Sequence, residues 1–528
     1  MRKFIVPSMI LFLVIIGLAA CRYSQSQAIR KTYSDYNTAV HDVQTNDLFF
    51  FKVHLKNGQV AFLTKWDLNI PQDSVIGIGT LYDFNRNVIA RGPQAIAMND
   101  VAIFETNDYN TIRSKDKSRT AALTLLTAVS VIGAIVCITT PKACFGSCPT
   151  FYTPGHTDLF SASAEGFSSS ISPSLAAGDV DALHCTTPPG DYAITLKNEA
   201  WETHVIDEVS LIGVPVNAGE RAYQNYDGRY VVTNTSVLPL QALSESGSIL
   251  DDICAMDEQE YFSVSDSTDL SAREELVFHF DGKGIDNAGL VINFRQTLLT
   301  TFLLYNGLSY MGDEAGDYYA QIETRSRMRE LLKSPFDVLG KIDVQVWNSK
   351  KKNWTDVAQL YETGPIAHNL QFVDLPDIKN EDGTMDVRIV AAKGMWRFDA
   401  ISLANIAREE IPVVLPMTAV RQNNVVNKDV LGQLKSTDQN PLVTFPLDEY
   451  LLEFEVPDRA PHYELFLYSY GYYLEWMREE WLSGKNPEKL RNLLLTDKET
   501  WKSLAIEFKE AEAGMEEVFW SSKISSPQ

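Results

Sequence analysis

Positive charge is what this chain has least of. Its 528 residues carry 46 Lys and Arg against 69 Asp and Glu, a formal net charge of −23. Such a surface repels phosphate backbones and offers no basic footprint, so nucleic acid is excluded as a partner. Histidine and cysteine are sparse too, eight and six residues. No G-x-S-x-G, H-E-x-x-H or P-loop pattern occurs, which removes three large classes of hydrolase and nucleotide-binding enzyme. No self-similarity at solenoid or propeller period is found. The run through Asp83, Asn85 and Asn87 starts like a calcium loop but lacks the glycine and terminal glutamate such a loop needs. No catalytic residue is assigned, and no cofactor is expected.

Apolar material is ample. Hydrophobic residues make up 45% of the chain and aromatics 11%, enough for sizeable cores. The N-terminus begins with Arg2 and Lys3, continues through an apolar stretch from Ile5 to Gly17 broken only by Pro7 and Ser8, and ends in small residues. That is the layout of a secretory leader. Leu18-Ala19-Ala20-Cys21 resembles the lipobox of bacterial lipoproteins. The resemblance implies a signal peptide over 1–20, acylated Cys21, and a lipid-anchored tether over 21–45. Several acyl chains hold a protein to a bilayer durably where one does not. Residues 22–27 carry no aspartate that would favour inner-membrane retention and no acidic export run. By the same resemblance the chain belongs in the cell envelope, on the periplasmic face of an outer membrane, with membrane lipid as its first partner.

The rest reads as mixed and β-rich (α+β). Residues 46–112 form a small β domain, whose first hairpin turns at Asn57-Gly58 within LFFFKVHLKNGQVAFL. Residues 113–157 hold an apolar segment and a Cys-rich turn. Thr120 to Thr139 is free of charge and long enough to cross a bilayer. Lys115, Lys117 and Arg119 precede it, however, and a span would invert the positive-inside bias. A buried helix or a membrane-leaning hairpin is expected instead. Residues 158–410 read as a β-sandwich-like domain, with a hairpin at Trp347–Trp354 and a helical insertion of two helices, Thr297–Met311 and Asp317–Lys333. Residues 411–528 form a C-terminal α+β region: an aromatic strand, then helices. Asn486-Pro487 caps one helix, and Trp501, Leu504, Phe508, Met515 and Phe519 mark the buried face of the last.

With Cys21 acylated, Cys137, Cys144, Cys148, Cys185 and Cys254 remain in an oxidising space. Cys137 suits a buried position, and Cys144, Cys148, Cys185 and Cys254 are disulfide candidates with their pairing open. Cys144 to Pro149 has the C-x-x-x-C-P spacing and is similar over those residues to Sco-type copper chaperones. That similarity implies copper held by Cys144, Cys148 and an imidazole, with His204 favoured over His156, His184 and His279. PKACFGSCPTFY, GLVINFRQTLLTTFLLYNGLSYMG and SYGYYLEWMREEWL resemble segments of a group of bacterial lipoproteins that brings no activity with it.

Two further clusters stand out. NEAWETHVID gathers Asn198, Glu199, Glu202, His204 and Asp207, with Glu202 and His204 on one face of a strand; it reads as a solvent-facing polar edge or as an acid/base or metal site. Tyr470, Tyr472, Trp476 and Trp481 either offer ring faces to a ligand or pack a strand–helix junction. The expectation is a membrane-anchored extracytoplasmic lipoprotein, a non-catalytic binding or assembly protein with a protein or glycan partner. The alternative is a thiol-redox or copper-handling protein using Cys144 and Cys148.

Overall fold

The computed structural model describes residues 26–33, 51–55, 59–69, 73–82, 88–111, 148–154 and 162–520. It has short breaks at 258, 313–314, 316–317, 320–321, 323–324, 362–363, 436–440, 477–480 and 482–483. The leader, Cys21, the apolar run 120–139, Cys137, Cys144 and His156 lie outside the described residues. Strand takes up 51% and helix 20%, so the mixed, β-rich class holds. The chain divides into two compact units, 1–83 with 88–144, and 84–87 with 145–528.

Among the described residues the first unit holds an antiparallel sheet of six strands, in the order Ser26–Tyr33, Val101–Thr111, Phe51–Leu55, Val60–Asn69, Ser74–Tyr82, Val88–Ala97. Alternation puts Phe51, Val53 and Leu55 on one face, where they pack with Leu63, Val75 and Ile96. Phe51–Leu55 and Val60–Asn69 pair antiparallel with His54 opposite Val60, while Asn57 and Gly58, the expected turn, lie outside the described residues. Ser26–Tyr33, inside the stretch read as tether, is a strand paired along its length with Val101–Thr111.

The second unit holds four sheets. Its central strand is His462–Glu475, hydrogen-bonded to Glu202–Val216 on one side and Ala177–Thr187 on the other. Residues from the 411–528 stretch thus complete a sheet begun by the 158–410 stretch. Leu465 and Leu467 point into one core with Ile194, Leu196, Ile206 and Leu211. Phe466, one residue out of phase, points into another with Val214, Val231, Val291 and Phe372. A strand buried on both faces has no room for polar alternation, which explains the run Leu465-Phe466-Leu467. The second core belongs also to the sheet ordered Arg221–Gln224, Tyr230–Val237, Trp396–Glu410, Ala288–Gln296, Asn369–Asp374.

Helix Leu299–Met311 follows Ala288–Gln296 and agrees with the expected Thr297–Met311. It stops at Gly312, whose φ of +57° suits glycine, and a Cβ there would come 2.7 Å from the Lys485 Cα. The expected helix Asp317–Lys333 falls partly outside the described residues; a helix is described over Ser326–Leu339, past the expected end, and it continues through Pro335. Proline removes a helix hydrogen bond and normally ends the element; here Pro335 is buried against its surroundings. Asn486 caps helix Pro487–Leu494 by accepting the Lys489 amide at 3.0 Å. In helix Lys498–Trp520, Trp501, Leu504, Phe508, Met515 and Phe519 are all buried, each side chain contributing about 1.5–3 kcal/mol. Phe508 meets Phe302 at 5.3 Å between ring centres.

Candidate functional site

In the antiparallel pairing of Glu202–Val216 with His462–Glu475, Glu202 stands opposite Glu475 and His204 opposite Tyr473. Directly opposed residues share a face, and alternation adds His204 to the face of Glu202. Neither Glu202 nor His204 is exposed at all, and His204 Nε2 lies 3.3 Å from Glu202 Oε1. The alternative of a solvent-facing polar edge is therefore overturned. Asn198 and Glu199 are buried too. Asn198 donates to the Glu202 carbonyl, and Glu199 accepts from Thr150 Oγ1 at 2.9 Å and from the Tyr152 hydroxyl at 2.5 Å.

A third carboxylate joins from the short strand Ala164–Glu165, paired with Thr150–Tyr152. Glu165 Oε2 accepts the backbone amides of Ile366 at 2.8 Å and Ala367 at 3.4 Å. The loop is held close by Gly364, where a Cβ would meet the Glu165 carboxylate at 2.4 Å and φ is +101°. From the other side Arg295 donates to the Pro365 carbonyl at 2.7 Å. Cys148, also buried, sits beside these groups.

Glu165, Glu202, Glu475, Cys148 and Tyr473 form the polar floor of a cavity of about 950 Å³. Its walls are apolar: Leu304, Leu308 and Met311 from one helix, Leu332 and Phe336 from Ser326–Leu339, Leu490 and Leu493 from Pro487–Leu494. Arg329, Lys333 and Lys341 also line it, outside the buried set. Protein interiors are close-packed, with voids seldom larger than a water molecule. An apolar space of this size with a few convergent polar groups has the form of a small-molecule site.

The electrostatics of the floor are unusual. Burial pushes Glu165 up to about 7, against the pull of its two backbone hydrogen bonds. Burial also raises the Cys148 thiol well above its usual value, and Glu165, Glu202 and Glu475 raise it further. The thiolate is the nucleophile and the metal ligand, and this site disfavours it. Tyr473 is raised by burial, then by Cys148, Glu202 and Glu475. Carboxylates gathered away from water are costly to a fold unless a proton or a partner offsets them.

The remaining sequence candidates fall elsewhere. Cys148, Cys185 and Cys254 are free thiols, so no disulfide joins any two of them. Cys185 contacts the Tyr192 hydroxyl at 3.2 Å and Cys254 the Asp251 carbonyl at 3.7 Å. Among the described residues no group of three His, Cys, Asp or Glu side chains is arranged to hold a metal ion. His184 bonds the His368 carbonyl, and His279 bonds Asp386. Tyr472, Trp476 and Trp481 are buried and offer no ring face to solvent, while Tyr470 is half-buried. Trp476 packs on Trp201 and donates to Thr203 Oγ1 at 2.9 Å; Trp481 packs on Tyr305. Sequence reasoning missed Glu165 and Glu475. The only signal for Glu165 is a lone acid in the Ser/Ala/Gly-rich stretch SASAEGF.

No known protein family and no curated protein matches this sequence. Among solved structures, the secreted serine protease VesC from Vibrio cholerae aligns over 73% of this chain and 92% of its own at 9% identity, with a TM-score of 0.12. A likeness that slight bears on neither fold nor activity.

Proposed function

We propose that this chain is a lipid-anchored extracytoplasmic binding protein, without catalytic chemistry of its own, that holds an amphipathic small molecule in the carboxylate-floored cavity. The leader-like N-terminus and Leu18-Ala19-Ala20-Cys21 support the anchor and an envelope location, with the periplasmic face of the outer membrane favoured. The finer layout belongs to the same reading: a small N-terminal β domain, a sandwich-like centre with a helical insertion, and a C-terminal strand-and-helix region.

The cavity itself carries the conclusion. Apolar helix faces would cover the body of a ligand, while Glu165, Glu202 and Glu475 would receive a cationic or hydrogen-bond-donating head. The acyl anchor would keep such a protein beside the membrane where amphiphiles are exchanged.

The test is titration of the full chain with a fluorescent alkylammonium probe. Gly307 lines the cavity, and a Cβ there meets only Leu493 Cδ2, at 3.8 Å. Gly307→Leu should therefore project a side chain into the cavity and abolish binding. Undiminished binding in that variant contradicts the proposal. Palmitate labelling that persists in Cys21→Ser contradicts the anchor.

A further inference from the structure

A second space lies beside the first, separated by a wall that includes Gln359 and Tyr361. We propose that this cleft of about 370 Å³, lined by Asp179, Gln224, Asn225, Tyr226 and Gln359, is a saccharide-binding site. The inference extends the binding-protein reading to a different site and a different ligand chemistry.

The lining is dominated by amides. Asn225 is 2% exposed, yet neither its Oδ1 nor its Nδ2 has a hydrogen-bond partner among the described residues. The Asp179 carboxylate is held by the backbone, Oδ1 accepting the Val180 amide at 2.9 Å with Phe167 also contributing, while its buried Oδ2 has no partner at hydrogen-bond distance among the described residues. Buried polar groups are nearly always satisfied, so orphans gathered at one cleft mark a place that something else completes. The amide nitrogens of Gln224 and Gln359 are committed to Tyr230 and Asp343, at 3.4 and 2.7 Å, leaving their carbonyl oxygens as acceptors. A hydroxyl both donates and accepts at one atom. A ring bearing several suits an asparagine with both functions unmet, a carboxylate with one oxygen unmet, and two glutamine carbonyls.

The mouth supplies the other half of sugar recognition. Tyr226 is 52% exposed, an aromatic ring with its face available. Its position is fixed, because its amide donates to the Phe372 carbonyl at 3.1 Å and the turn closes through Gly228 to the Asn225 carbonyl at 2.8 Å. A pyranose has one face of C–H groups that can lie on such a ring while its hydroxyls reach the amides. An extended peptide is the poorer fit. Strand Asn369–Asp374 ends its sheet, and the Tyr226 amide already caps that edge at Phe372.

The experiment is an array of defined neutral and N-acetylated oligosaccharides, probed with the labelled full chain in a detergent without a sugar headgroup, then calorimetry with the strongest binder. Tyr226→Ala and Gln224→Ala lie outside the larger cavity, and alkylammonium binding there reports whether each variant is folded. The expected result is saccharide binding that Tyr226→Ala weakens by about tenfold while alkylammonium binding is unchanged. No saccharide bound, or binding undiminished in Tyr226→Ala, overturns the inference and leaves the larger cavity's reading standing.

Discussion

Glu165 shows at the scale of one residue how the cavity floor couples to pH. Its carboxyl is raised from 4.5 to about 7 by burial, so between those values the folded state binds a proton that the unfolded state has released. Stability is then present in full below about pH 4.5 and is lost as pH rises through 7, by about 3 kcal/mol from this group. Glu165→Gln keeps an oxygen for the Ile366 and Ala367 amides and removes the ionisation. Melting temperatures measured from pH 5 to 8 should fall with pH in the native protein and flatten in the variant; parallel profiles would contradict the assignment. Cys148 makes a companion case. As a buried thiol among carboxylates it should resist maleimide in the folded protein and react after denaturation. Rapid labelling of Cys148 in the native state would restore the thiol-redox reading.

At the scale of elements, an ion cluster joins the C-terminal helix to the strands beneath the cavity loop. Arg295 donates to both oxygens of Glu260 at 2.6 and 2.7 Å, and His368 contacts the same carboxylate at 2.9 Å. Arg397 reaches Glu260 at 3.2 Å and Glu516 of helix Lys498–Trp520 at 3.1 Å, and Trp520 donates to Glu516. Burial alone would raise Glu260, but the His368 and Arg295 contacts prevail and draw it down to about 2. Its stabilisation is complete above pH 4.5 and is lost as pH falls toward 2. Glu260→Ala leaves the buried Arg295 and the half-buried Arg397 with Glu516 as their shared carboxylate and should cost on the order of 3 kcal/mol at neutral pH, shrinking in acid. Urea unfolding at pH 7 and at pH 3 checks both halves, and an equal cost at the two pH values would contradict them.

Local elements were the legible ones. The Trp347–Trp354 hairpin is present with the two tryptophans directly paired, their rings 5.5 Å apart. The Asn486-Pro487 cap and the Thr297–Met311 helix were readable for the same reason, since each signal lies within a few residues. Helix Ser326–Leu339 runs past the expected end at Lys333, and what lets it hold Pro335 is burial by tertiary packing, which no local signal carries.

For the whole molecule, what sequence could not supply was non-local pairing. Glu202 and His204 were seen to share a face, but nothing local brings Glu475 opposite Glu202 or folds Glu165 beneath the Ile366 amide. Acids in so acidic a chain read as solvated, so a buried set of them has no signature in composition. The cavity emerges only when three helices close over a sheet whose strands come from both ends of the second unit. The account therefore stands on the pairing of apolar walls with an acidic floor. The direct measurement compares an alkylammonium with an alkyl sulfate of the same chain length, titrated into the native protein and into Glu202→Gln with Glu475→Gln. The account predicts that the native cavity prefers the cation by tenfold or more, on the order of one desolvated charge pair, and that the double substitution erases the preference. Equal affinity for the two headgroups, or a preference for the sulfate, would contradict it.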